Sequence, residues 1–185
     1  MGANPFVLSF RRLKTIGELI HKYFPTVETI GCFARVTDMA LKSDEELAAL
    51  HHLGYDGITI GVETGDDRAL AFMDKGYRSQ DIVDQAARLS AAGISYNFFY
   101  LAGICGAGRG VEGAQKSAEV FNRTRPGLIG SSMLTIFPES RLYQEIQQGS
   151  PISGTGSNRS GSAVASYSHI HGYVRQICGG RDSSG

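Results

Sequence analysis

Apolar residues recur along this chain first at helical and then at strand spacing, and that alternation is its most regular feature. Leu13, Ile16, Leu19, Ile20 and Tyr23 share one stripe of a helix predicted over residues 11–24, which Pro25 ends. Residues 27–34 read as a strand. Ser43 and Glu46 form a capping box ahead of Leu47 and Leu50, and Gly54 closes that helix. Residues 57–62, GITIGV, are the next strand. Asp66 and Asp67 stand where a first helical turn favours negative charge, in a short helix ending at Lys75 and Gly76. Ser79 opens a further helix, with Ile82, Val83, Ala86 and Leu89 inward and Gly93 as its stop. A strand over 94–101 runs into a glycine-rich loop, AGICGAGRG, and then a helix over 111–124. Pro126 and Gly127 turn the chain into a strand over 128–136, and Phe137-Pro138-Glu139 leads into a last short helix ending near Gly149.

Strands that alternate with helices predict a parallel sheet with right-handed crossovers, hence an α/β fold. Four strands are legible, and residues 6–10, FVLSF, read as the remnant of a fifth. In such folds ligands bind beyond the carboxyl ends of the strands. Those ends fall at Phe33-Ala34-Arg35, at Glu63-Thr64-Gly65, at Leu101-Ala102-Gly103-Ile104 and at Phe137-Pro138-Glu139. Glu63 is conspicuous because it terminates an apolar strand. It either caps the helix that starts at Asp66, pairs with Arg35 or Lys75, or faces a ligand. Gly61 and Gly65 bracket it and permit a tight turn or close backbone approach.

The stretch IGVETGDDRALAFMDKGYRSQDIVDQAARLSAAGISYNFFYLAGICG resembles the middle of a radical S-adenosylmethionine (radical SAM) enzyme. In that family a strand ends in Gly-Val-Glu-Ser-Gly. An acidic turn follows, then a helix closing on a basic residue and Gly, a helix ending in Ala-Gly-Ile, and a strand ending in Gly-Leu-Pro-Gly. Here Thr64 stands for the serine, Lys75 and Gly76 for the basic step, and Ile104-Cys105-Gly106 for Leu-Pro-Gly. The likeness runs over residues 5–149, with its specific part over 54–106. It implies a partial TIM-type (βα) barrel, with about four parallel strands remaining of the family's six, in a domain over 1–149. It also implies that Glu63 and Thr64 line the ribose or methionine side of S-adenosylmethionine, and that the backbone at Gly103, Ile104 and Gly106 lies near the adenine. Arg35 would meet a carboxylate or make a surface ion pair. Lys75 reads as a cation at a helix C-terminus rather than a ligand contact.

The cysteines depart from this pattern. The family holds a [4Fe–4S] cluster on a Cys-x3-Cys-x2-Cys loop, and iron–sulfur clusters need such thiolates. Cys32, Cys105 and Cys178 lie far apart and supply neither this loop nor a zinc spacing. The cluster is therefore expected on a full-length family member and not on this chain. The first strand, the cluster loop and the glycine-glycine-glutamate motif that grips the methionine amine are read as missing, and Met1 as a start inside a larger protein. Loss of those strands would expose a sheet edge, so self-association through it is expected.

Composition narrows the partners. Lysine plus arginine and aspartate plus glutamate stand at 18 each, so no basic excess points to nucleic acid. No apolar run suffices for a membrane span, and unpaired cysteines suit a reducing, cytoplasmic compartment. The histidines at 51, 52, 169 and 171 read as scattered rather than metal-binding. Residues 150–185, rich in Ser and Gly, read as a disordered tail, open to proteolytic trimming, of the kind a frame change gives. Two other functions stay open. Gly108, Gly110 and Gly113 fit G-x-G-x-x-G after a strand and before a helix, a dinucleotide-binding pattern with Glu139 as ribose acid. A non-catalytic βα scaffold that binds a partner through its open edge is the other.

Overall fold

The computed structural model describes residues 4–148. A 3₁₀ turn, Pro5–Val7, precedes helix α1, Phe10–Tyr23. Strand β1, Phe33–Arg35, runs into the single turn α2, Val36–Met39, then helix α3, Asp44–His52, and strand β2, Ile58–Glu63. Helices α4, Asp67–Phe72, and α5, Ser79–Ala91, lead to strand β3, Tyr96–Ala102. Helix α6, Gly110–Thr124, strand β4, Ile129–Met133, and helix α7, Arg141–Gln147, complete the order. The tail over 150–185, read from sequence as disordered, lies outside the described residues.

The four strands form one parallel sheet in the order β1-β2-β3-β4. Phe33 pairs with Thr59 and Arg35 with Gly61 in parallel register. Farther along, Phe98 N donates to Leu128 O and Leu134 N to Ala102 O, so both partners advance together. Each strand lies beside its chain neighbour, as βα winding with helical crossovers requires. This is the fold expected from the helix–strand alternation.

The described residues divide into two compact units. The first takes the chain up to Val62, then Gln80–Tyr100 and Thr124–Gly130. Its core alternates along β2, where Ile58, Ile60 and Val62 are buried, and along β3, where Tyr96, Phe98 and Tyr100 are. Leu47 and Leu50 of α3 and Ile82, Ala86 and Leu89 of α5 supply the helical side of this core. The capping box forms as the sequence implies: Ser43 Oγ accepts from Glu46 N at 3.2 Å and Glu46 Oε2 from Ser43 N at 3.0 Å.

Two expectations for this unit are corrected. Residues 6–10 are no strand remnant: Pro5 removes an N–H and starts the 3₁₀ turn, and Phe10 already opens α1. The turn is held instead by Phe6, fully buried, whose carbonyl accepts from Lys42 Nζ at 2.6 Å beneath a cation–π contact of 4.4 Å to its ring. The apolar stripe of α1 is also buried only in part. Leu13 and Gly17 are buried, whereas Ile16 is 37% and Leu19 46% exposed. Gly17 is what turns the helix: a Cβ there would sit 3.3 Å from the Tyr55 ring, and Tyr55 OH donates to Leu13 O at 2.8 Å.

The second unit comprises Glu63–Ser79, Leu101–Arg123 and the chain from Ser131. Its members follow the carboxyl ends of β2, β3 and β4 in the chain. Asp66 caps α4 by accepting from Arg68 N at 3.2 Å. That helix ends at Phe72, short of Lys75, because Asp74 adopts a left-handed backbone with φ of 51°. Ala69, Ile104 and Cys105 form an apolar cluster, with Met73 and Leu101 packed against it.

Candidate functional site

Glu63 is the last residue of β2, and its backbone is left-handed, with φ of 58°. An L-residue there sacrifices about 1–2 kcal/mol, so the surrounding turn must hold it. Such strain at a strand end is where a functional side chain is first sought. The carboxylate, 21% exposed, receives Lys75 Nζ on Oε1 at 3.1 Å. Of the partners weighed from sequence, Lys75 is the one it meets. Among the described residues nothing else engages the carboxylate.

The next residue turns inward. Thr64 is fully buried, and its hydroxyl lies 3.0 Å from Ser117 Oγ and 3.6 Å from Cys105 Sγ. It also accepts from Asp66 N at 3.2 Å, the short side-chain turn that serine and threonine favour. Gly65 N donates to Ser117 Oγ at 2.8 Å. Gly65 passes so close to α6 that a Cβ would lie 2.5 Å from Lys116 O, so only glycine fits.

The loop after β3 closes a turn through Gly106 N donating to Gly103 O at 3.1 Å. Gly103, Gly106 and Gly108 all have φ between 74° and 89°, the left-handed region glycine enters without strain. Between the first two, Ile104 is fully buried in the apolar cluster, so only its backbone belongs to the turn. Cys105 is buried too, and burial pushes its thiol up to about 11. A Cβ on Gly113 would land on Cys105 Sγ, which brings this turn and the first turns of α6 into direct packing.

Charge gathers around Asp66, whose side chain is 1% exposed. Its two oxygens take Arg109 Nη2 at 2.7 Å and Lys116 Nζ at 3.2 Å. Glu112 bridges the same cations, 2.6 Å from Lys116 Nζ and 3.2 Å from Arg109 Nε. Hydrogen bonds from Lys116 and then Arg109 hold the Glu112 carboxyl down at about 2. The Glu112 bonds in turn raise Lys116. Arg109 and Gly110 belong to the G-x-G-x-x-G stretch, where Arg109 is paired with Asp66 and Glu112 and Gly113 is used for packing against Cys105.

The second unit thus gathers five of the six residues singled out from sequence: Glu63, Thr64, Gly103, Ile104 and Gly106. Arg35 lies in the first unit, exposed at the end of β1, with its backbone N donating to Asp38 Oδ2 at 2.7 Å. Sequence reasoning missed Ser117 and the Asp66 cluster. Gly113, Ala114, Ser117 and Ala118 carried a signal, since small residues three and four apart mark a helix face that another backbone approaches closely.

A [4Fe–4S] cluster does not fit the described residues. Cys32 is half-buried in the first unit, Cys105 is buried in the second, and among the described residues no three His, Cys, Asp or Glu side chains converge on a metal position. Cys178 lies outside the described residues. Among the described residues, no helix is long and apolar enough to cross a membrane.

No protein-family model and no curated protein matches the chain. Solved structures do. Coproporphyrinogen III oxidase (HemN) from Escherichia coli, a radical SAM enzyme, superposes with a TM-score of 0.74 at 12% identity, over 94% of this chain and 38% of that one. The archaeal Elp3 of Methanocaldococcus infernus gives 0.69 at 15% identity, over 95% and 43%. The radical S-adenosylmethionine methyltransferase TsrM of Kitasatospora setae gives 0.58 at 18% identity, over 76% and 27%. The chain therefore spans less than half the length of each of these three structures, and its fold, a partial βα barrel, is similar to theirs.

Proposed function

We propose that this chain is part of a radical SAM enzyme, and that its second unit contributes one wall of the S-adenosylmethionine site. The observation that carries the reading is the Glu63 turn. A carboxylate at a strand's carboxyl end, on a left-handed backbone, stands in the second unit together with the 103–106 turn. A carboxylate of this kind accepts hydrogen bonds from ribose hydroxyls or from an ammonium group. In the 103–106 turn the left-handed Gly103, only partly buried, carries no side chain to keep a planar base from the backbone. Thr64, being buried, would act on the ligand through the backbone it supports.

In the parent protein a cluster bound elsewhere would supply the electron that cleaves S-adenosylmethionine to a 5′-deoxyadenosyl radical, for chemistry on a substrate these residues do not specify. Cys32 and Cys105 do not provide its ligands, and on this reading the chain alone would be inactive in that chemistry.

The test is an amide-shift titration of the chain with S-adenosylmethionine. The proposal expects shifts at Gly65, Gly103 and Gly106, abolished in Glu63→Gln. A folded chain whose amides at these positions stay still at millimolar ligand would overturn it and leave the scaffold reading.

A further inference from the structure

Ser117 lies in the middle of α6, fully buried, and makes three hydrogen bonds with one hydroxyl. Oγ is 2.7 Å from Gly113 O, 2.8 Å from Gly65 N and 3.0 Å from Thr64 Oγ1. A serine hydroxyl has one proton and two lone pairs. A carbonyl only accepts, so the Ser117 proton goes to Gly113 O. An amide N–H only donates, so Gly65 occupies one lone pair. Thr64 must then donate its own proton to the other. With that proton spent, Thr64 Oγ1 only accepts, from Asp66 N at 3.2 Å and from the Cys105 thiol at 3.6 Å. Cys105 is protonated as this requires, since burial pushes its thiol up to about 11. Both hydroxyl protons are thereby assigned, that of Ser117 to Gly113 O and that of Thr64 to Ser117 Oγ.

Two of these bonds end on the residues that follow Glu63. Glu63 has the left-handed φ of 58° that the turn must enforce, while among the described residues its own side chain holds Lys75. The groups that fix Thr64 and Gly65 therefore fix where the carboxylate points. We infer that Ser117 is the positioning residue of the candidate site: its hydroxyl clamps the Thr64 hydroxyl and the Gly65 N–H and so presents the Glu63 carboxylate to the ligand. Ser117 does not itself touch a ligand. This inference rests on the reading of Glu63 as the ligand-facing carboxylate. The near contact of Gly65 with the α6 backbone explains why the clamp comes from this helix position, since no larger residue leaves Gly65 N within reach of Ser117 Oγ.

The test compares the full chain with Ser117→Ala by native-state amide exchange and by S-adenosylmethionine titration. Gly65 N–H should exchange at least tenfold faster in the variant after correction for the interior amides of Ile60 and Leu89, which report global opening. The dissociation constant should rise as it does in Glu63→Gln, and the double variant should be no weaker than the weaker single one. A Gly65 rate that merely follows Ile60 and Leu89 would overturn the positioning role, as would an affinity untouched by Ser117→Ala but lost in Glu63→Gln. Should Ser117→Ala not fold, Ser117→Cys, which keeps most of the volume and accepts only weakly, should still raise the corrected Gly65 rate. An affinity that Glu63→Gln leaves unchanged sinks the cofactor reading instead, and the exchange ratio then decides the role of Ser117 in the turn by itself.

Discussion

Lys75 Nζ sits 3.1 Å from Glu63 Oε1, so a cation beyond the end of α4 reaches back to the acid that ends β2. Both side chains are roughly three-quarters buried, at 27% and 21% exposure. The pair steadies a carboxylate whose backbone is already strained.

That strain separates function from stability. Glycine at 63 relieves about 1–2 kcal/mol of left-handed cost and gives back about 0.5–1 kcal/mol of chain entropy. The partly exposed ion pair is worth at most about 1 kcal/mol. Glu63→Gly should therefore change stability by no more than about 1.5 kcal/mol in either direction while abolishing the response to S-adenosylmethionine. Glu63→Val, β-branched at positive φ, should lose about 1–3 kcal/mol. Urea midpoints for the two variants check both, and a Glu63→Gly chain that unfolds readily would show that the carboxylate is structural.

Gly65→Ala should be among the costliest small substitutions in the second unit. The new Cβ would meet Lys116 O at 2.5 Å and Ser117 Cα at 2.8 Å, and these are backbone atoms that cannot swing aside. Overpacking of this kind costs about 1–3 kcal/mol or more, and the clamp on Thr64 is lost as well. Gly76→Ala makes the contrast, because a Cβ there meets nothing within 4 Å and only its φ of 75° is strained. Its loss should be about 1–2 kcal/mol, and denaturant titration of the pair should rank Gly65→Ala as clearly worse.

The strand–helix order was legible because β2 and β3 alternate cleanly and Ser43, Asp66 and Gly54 punctuate the helices as their chemistry dictates. Glu63 was legible for the same reason, a charge at the end of an apolar strand. The α1 stripe misled because period alone cannot tell which apolar line a neighbour covers, and Gly17 decided it by admitting the Tyr55 ring. Ser117 was hidden because a serine inside a helix looks neutral until a backbone from elsewhere in the chain is brought to it. The partners of Asp66 were hidden likewise: Arg109 and Lys116 lie 43 and 50 residues away.

Asp66 is predicted to be the costliest charge to remove. Its carboxylate is 1% exposed, caps α4, and holds both Arg109 and Lys116. Deleting one partner of a buried ion pair typically costs about 3–5 kcal/mol, because the remaining charge keeps its burial without its counter-ion. Asp66→Asn keeps an acceptor for Arg68 N and so should retain the cap, worth about 1 kcal/mol. Asp66→Ala should therefore be less stable than Asp66→Asn, and both far less stable than Lys14→Ala, which breaks only an exposed pair with Glu18. Equal midpoints for Asp66→Asn and the wild type would show that the cations find other partners.

Glu112 supplies the pH dependence. Hydrogen bonds from Lys116 and then Arg109 depress its carboxyl from the ordinary 4.5 to about 2 in the folded chain. As pH falls through 4.5 the unfolded chain binds this proton first and is favoured by it. The contribution of Glu112 is thus full above 4.5, declines below it, and is gone once pH passes about 2. The side chain is 51% exposed, so solvent and salt screen the effect. Wild type and Glu112→Gln should differ in stability by a constant amount at neutral pH and converge on acidification through that window. Asp56, held low by hydrogen bonds from Ser95, titrates alike in both and cancels in the difference. High salt should shrink the neutral gap, and a gap that persists unchanged below the window would mean that Glu112 stabilises α6 by packing rather than by charge.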